Sequence, residues 1–234
     1  MILTAHQPVY LPWLGLFHKI ALSDLFCYFD IVQYQRKDYN NRNKIKTKNG
    51  ELWLSVPVES KSHFNKNVSE ILIVQNNWIK KHLRSIELNY KKSIFFDKYY
   101  PELRCILINE SQKSLGQLNL KLLEYFLKCL DINTPIVRAS NYKFNGKGSE
   151  LVLDMCINLK ADKYIFGEQG KSYADIEVFN KAGVEVYFQQ YRHPKYKQNG
   201  RDFKSYMSVI DLLFNEGLNS YDILMSNNIT KKEI

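Results

Sequence analysis

Short apolar runs alternate with longer stretches of helical period along the 234 residues, and that alternation sets the expected fold. Ile2 to Ala5 is a short run suited to a first strand. Trp13, Leu14, Phe17, Ile20 and Ala21 then recur at helical spacing, with Pro12 as a first-turn residue. Leu25 to Phe29 reads as a second, buried strand ending at Asp30. An Asn49-Gly50 turn joins Asn43–Thr47 to Leu52–Val58 as a hairpin, whose Leu52, Leu54, Val56 and Val58 share one face. Ser62 to Asn67 reads as a polar loop, and Ile71 to Val74 as a short strand.

From Asn77 the spacing of Trp78, Ile79, His82, Leu83, Ile86 and Tyr90 predicts an amphipathic helix, with His82 on the apolar side. Two more follow, Phe95–Asn109 and Leu115–Leu130, so residues 77–130 read as a helical insertion that serves as scaffold. Ile136, Val137 and Arg138 make a short strand, and Glu150 to Leu159 a helix. Lys163–Phe166, the loop Gly167-Glu-Gln-Gly170, a helix from about Tyr173 to Ala182 and Val184–Phe188 form a βαβ unit, which requires parallel strands. A last helix, Ser205–Phe214, buries Met207, Ile210, Leu213 and Phe214, with its start loosened by Ser205. The expected fold is α/β: a mostly parallel sheet with flanking helices and the helical insertion, in a single domain over 1–220. Residues 221–234 read as a fraying tail.

The charge balance is 33 basic against 24 acidic residues, or +9. It points to a polyanionic partner, a nucleic acid, nucleotide or membrane surface, or else to a composition rich in Lys, Asn and Ile. The lysines are scattered rather than gathered in one tract. No run of eighteen apolar residues and no leader pattern is present, so a soluble, cytoplasmic protein without membrane insertion is expected. Cys27, Cys105, Cys129 and Cys156 are far apart and form no CxxC pair. The last three fall in helical apolar patterns, and all four read as reduced core residues rather than a zinc site or a disulfide framework.

The densest chemistry lies in His6-Gln-Pro-Val-Tyr-Leu-Pro-Trp-Leu-Gly15, directly after the first strand. Pro8 and Pro12 stiffen this segment, and stiff loops after strands are where α/β proteins place ligands. His6, Gln7, Tyr10 and Trp13 are therefore site candidates, against a purely structural reading in which they staple the N-terminus to the core. Asp30, Glu168 and His193 also stand at strand ends. Between them lie cation-rich loops: Asn41 and Arg42, with Arg42 offering a fork of donors to phosphate, and Asn145-Gly-Lys-Gly-Ser149, where Lys147 and the capping Ser149 suggest an anion cradle at a helix start. After the last strand, Tyr191, His193 and Tyr196 are candidates for stacking on a base or sugar. No zinc box, GxSxG elbow, dinucleotide GxGxxG or complete P-loop occurs. If the strands are parallel neighbours, two imidazoles and two carboxylates converge beside cationic loops, a set suited to proton transfer and positioning, with no metal or cofactor assigned.

The run HQPVYLPWLGLFHKIALSD resembles the opening of the WbqC-like family, HQPxYLPWxGxFxKxxxxD. The resemblance continues through Asp30-Ile-Val-Gln-Tyr34, Asn41-Arg-Asn-Lys-Ile45, Trp53-Leu-Ser-Val-Pro-Val58, Gly146-Lys-Gly-Ser-Glu150, His193-Pro-Lys-Tyr196 and Ser208-Val-Ile-Asp-Leu-Leu-Phe214. It implies a place among bacterial surface-polysaccharide proteins, which act on nucleotide-linked sugars for O-antigen or lipopolysaccharide. On that basis the expected activity is aminoacyl (glycyl) or acyl transfer to a nucleotide-linked amino sugar, with aminoacyl-tRNA as one conceivable donor. His6 would be the base, oriented by Asp30. Arg42, Lys147 and Ser149 would hold the diphosphate, and Tyr191, His193 and Tyr196 the base or sugar. A glycosyltransferase and a non-catalytic partner of the polysaccharide machinery are the alternatives.

Overall fold

The protein is seen in a computed structural model that describes residues 1–59, 66–110 and 113–234; residues 62–65 of the expected polar loop lie outside them. Its strands are β1 (Ile2–His6), β2 (Leu25–Tyr28), β3 (Arg42–Thr47), β4 (Gly50–Ser55), β5 (Ile136–Arg138), β6 (Lys163–Phe166) and β7 (Glu185–Phe188). Its helices are α1 (Leu14–Ala21), α2 (Trp78–Tyr90), α3 (Phe96–Asn109), α4 (Leu115–Cys129), α5 (Ser149–Asn158), α6 (Ile176–Lys181), α7 (Val209–Glu216) and α8 (Ser220–Met225).

Five strands form one parallel sheet in the order β5-β2-β1-β6-β7. The chain starts in the centre, walks outward through β2 to β5, then returns to β6 and β7 on the other side. The order therefore reverses between β1 and β6, the position at which open α/β sheets bind ligands beyond their strand C-termini. Burial on both faces explains why these strands read as apolar runs rather than alternating ones. Leu3, Ala5, Cys27, Tyr164 and Phe166 pack with α5 and α6, while Phe26 and Tyr28 pack with α1, α4 and α7.

The insertion between β2 and β5 holds the three expected helices and an antiparallel hairpin of β3 and β4 in a sheet of their own. Ile71–Val74 forms no strand. Its bridges, Val58 to Ile73 and Leu72 to Ser114, go to different partners, so no ladder propagates. The last predicted helix starts four residues late, at Val209, because Tyr206 has φ 60° and Ser208 caps the helix by accepting from the Ile210 N–H. The expected fraying tail is instead docked. Leu224 of α8 is buried, the Ile229 carbonyl meets His18 Nε2 at 3.1 Å, and Lys231 pairs with Asp24. Among the cysteines, Cys105 is exposed rather than in the core. No helix among the described residues is long and apolar enough to cross a membrane.

Candidate functional site at the strand-order reversal

The loop after β1 is held from below by the segment that follows β2. Asn40 donates to the Pro8 carbonyl at 2.8 Å and Asn43 to the Leu11 carbonyl at 2.6 Å, both from fully buried side chains. The Tyr10 N–H donates to the Tyr39 carbonyl and the Val209 N–H to the Pro12 carbonyl. Leu11 is left-handed, φ 45°, a conformation that costs a side-chain-bearing residue free energy. Its buried side chain and the Asn43 bond hold it there. The asparagines around Arg42 are thus backbone splints for the opening loop, and Asn41 does the same for β4 by donating to the Val56 carbonyl.

A cavity of about 470 Å³ opens at the strand-order reversal. His6 and Gln7 after β1, Lys19 of α1, Gln35 beyond β2, Gly148 at the start of α5, and Gln169 and Gly170 beyond β6 line it. His6 Nδ1 is 2.8 Å from the Gln7 carbonyl. A carbonyl only accepts, so Nδ1 carries the hydrogen and Nε2 keeps a lone pair. Burial, aided by the charge of Lys19, pushes the His6 pKa down to about 4. His6 is therefore neutral at pH 7. Burial also pushes Lys19 down to about 8, so it remains mostly charged at pH 7, with Nζ donating to the Ala5 carbonyl at 2.9 Å. Lys19 is the one charged side chain among the described lining residues. The cavity pairs a neutral imidazole with a dry ammonium.

Lys19 had drawn no role from the sequence, although α1 reads Leu-Gly-Leu-Phe-His-Lys-Ile-Ala and buries Leu14 through Ile20. A lysine in a helix without a polar face, standing at the fixed lysine of the HQPxYLPWxGxFxKxxxxD pattern, was the available signal. Gly170 closes the opposite wall. A Cβ there would stand 2.6 Å from the Phe166 side chain. Gly170→Ala should therefore cost about 1–3 kcal/mol and distort the cavity. Urea melts of the variant and wild type measure this, and an unchanged midpoint would contradict it.

Several predicted site residues lie elsewhere. Asp30 does not orient His6. It is fully buried and accepts from Arg138 and Ser140, because β2 and β5 end side by side. Glu168 is exposed at the head of a 3₁₀ turn and does not line the cavity. Tyr10 is buried, its hydroxyl 2.9 Å from His82 Nδ1, which makes both residues core. Tyr191, His193 and Tyr196 instead anchor the segment after β7. Tyr191 donates to the Leu224 carbonyl, Tyr196 donates to buried Asp211 of α7, and His193 packs between their rings. Lys147 and Ser149 face a neighbouring cleft of about 500 Å³ that shares only Tyr173 with the cavity. Ser149 is not the cap of α5. Gly148 takes that position, and Ser149 Oγ accepts from the Asp175 N–H. Gln7 does line the cavity, and Trp13 stands edge-on to His6 at 5.5 Å. Arg42 lies outside the cavity, over the Trp53 ring.

Strand order and cavity together define a doubly wound α/β protein with a cavity at its switch point, where such folds bind ligands. The chain belongs to the WbqC-like protein family, which matches residues 7–223. It is also 34% identical over 219 residues to the uncharacterized protein Rv1507c of Mycobacterium tuberculosis, across 93% of this chain and 95% of that protein. No solved structure matches the chain.

Proposed function

We propose that the protein is a transferase of bacterial surface-polysaccharide (O-antigen) biosynthesis that places an aminoacyl group, such as glycyl, or another acyl group on the amine of a nucleotide-linked sugar. The observation that carries this reading is the cavity in which a neutral His6 stands with the buried ammonium of Lys19. An attacking amine must be uncharged, and a neutral imidazole neither repels it nor withholds a lone pair. As the amine nitrogen bonds to the carbonyl carbon of an activated ester or thioester donor, His6 Nε2 takes the amine proton. The bond to the leaving oxygen or sulfur then breaks, and the leaving group departs with the electron pair. Lys19 supplies positive charge where the carbonyl oxygen becomes an oxyanion, in a water-poor setting where that charge counts most. The same negative charge offsets the effect of Lys19 on His6 and strengthens the base at the moment it is needed. The net charge of +9 is compatible with a charged tRNA as donor.

The test incubates the protein with nucleotide-linked 3-amino and 4-amino sugars and with ester-class donors, charged tRNA included, and reads products by mass. Acyl gain with the nucleotide still attached is expected. Release of nucleoside diphosphate would make the protein a glycosyltransferase, and absence of any product would leave a non-catalytic partner.

A further inference from the structure

Beside the cavity runs a line of aromatic rings that no role has yet absorbed. It starts at His6 and continues to Trp13 at 5.5 Å, from Trp13 to Tyr39 at 5.1 Å, and from Tyr39 to Trp53 at 5.8 Å. Trp53 lies on the outer face of the β3–β4 hairpin and is 39% exposed, a large aromatic left partly in water. Two cations stand over its ring: the Arg42 guanidinium carbon at 4.5 Å from the centroid and Lys44 Nζ at 5.1 Å. Lys44 has a carboxylate partner in Glu51. Arg42 forms no ion pair with the described residues. One of its nitrogens donates to the Lys37 carbonyl, while its Nε is buried without a hydrogen-bond partner. A buried N–H of this kind ordinarily finds an acceptor.

We infer that Tyr39 and Trp53, with Arg42, form the nucleoside diphosphate subsite of the same site, the rings stacking on the base and the Arg42 guanidinium meeting the phosphates. The inference rests on the reading of the substrate as nucleotide-linked and names the part of the protein that recognises the nucleotide. Base stacking needs an exposed aromatic face, and phosphate recognition needs a fork of donors without a competing carboxylate. At the outer end of the ladder Trp53 offers the part of its ring that the cations over it leave in water, and Arg42 the donors without a carboxylate, whereas Lys44 is held by Glu51. Its inner end is His6, which puts the subsite on the side of the cavity that His6 lines. The hydroxyls of Tyr191 and Tyr196 are committed to the Leu224 carbonyl and to Asp211, and His193 is packed between their rings, its Nδ1 bonded to the Pro194 carbonyl and its Nε2 buried, so this trio offers no open ring face.

The test titrates UDP, dTDP, GDP and CDP, without any sugar, into the full chain and follows tryptophan fluorescence. At least one nucleoside diphosphate should quench the wild type. Trp53→Ala should weaken it roughly tenfold to a hundredfold, the worth of one stacked base. Arg42→Gln should lessen the dependence of affinity on salt. Leu52→Ala, equally exposed but on the other face of the hairpin, should change nothing. Thermal melts confirm that the variants fold. Equal affinity in Trp53→Ala and wild type, or no binding of any of the four, would overturn the subsite. Transfer to nucleotide-linked amino sugars with an unchanged KM in Trp53→Ala would do so too, while leaving the transferase reading intact.

Discussion

Replacing Arg138 by alanine should lower stability by about 3–5 kcal/mol, the cost of stranding a buried charge. Asp30 has no exposed surface, and its Oδ2 accepts from Arg138 Nε at 3.1 Å and Nη2 at 2.8 Å. Without the guanidinium, only the Ser140 N–H and hydroxyl remain to satisfy it. For a chain of this length each kcal/mol moves the melting temperature by about 2–4 °C, so a fall of roughly 6–20 °C is expected by calorimetry. The pair joins the ends of β2 and β5, and the segment leaving Asp30 supplies Gln35 to the cavity. The loss should therefore weaken ligand binding as well. A shift below about 2 °C would show that solvent reaches Asp30 and that the pair is dispensable.

Stability should also fall steeply as pH drops from about 6.5 to 4. His6, His18, His82 and His193 all have pKa values lowered by burial, His6 and His82 to about 4. Within that window the unfolded chain takes up protons on these imidazoles and the folded chain does not, so acid favours unfolding. Above 6.5 the histidines are neutral in both states and the effect vanishes. His82 is 5% exposed and bonded to the Tyr10 hydroxyl, and its shift alone corresponds to about 3 kcal/mol between pH 7 and 4. His82→Gln should lower stability at pH 7 yet flatten its pH dependence, as read from urea midpoints at both pH values. An unchanged slope would contradict the assignment.

Much of the sheet could be read directly. Parallel strands buried on both faces leave uninterrupted apolar runs, as in Phe26-Cys-Tyr28 and Tyr164-Ile-Phe166. The three insertion helices showed in their period to within a residue or two. His6 and Gln7 were legible because a strand end and two prolines fix where they stand. Partner choice was not legible. Asp30 follows a strand as an active-site carboxylate would, but its bonds depend on β5 arriving beside β2 more than a hundred residues later. Tyr191 and Tyr196 after β7 look like a stacking site, yet their hydroxyls go to the docked α8 and to Asp211, with His193 packed between their rings, contacts that no local pattern encodes. Lys19 escaped for the opposite reason, since helical period marks it as a flaw in an apolar helix and only the cavity gives it a use.

The central claim is that chemistry occurs at the strand-order reversal, with His6 as the base. Its most direct test is kcat for acyl transfer to a nucleotide-linked amino sugar in His6→Ala, His193→Ala and wild type at pH 7. Loss of one positioned base costs about 10²–10⁴ in rate. His6→Ala should fall by that factor with little change in KM, and His193→Ala should keep the wild-type rate. Full activity in His6→Ala, or its loss in His193→Ala alone, would place the reaction elsewhere in the fold.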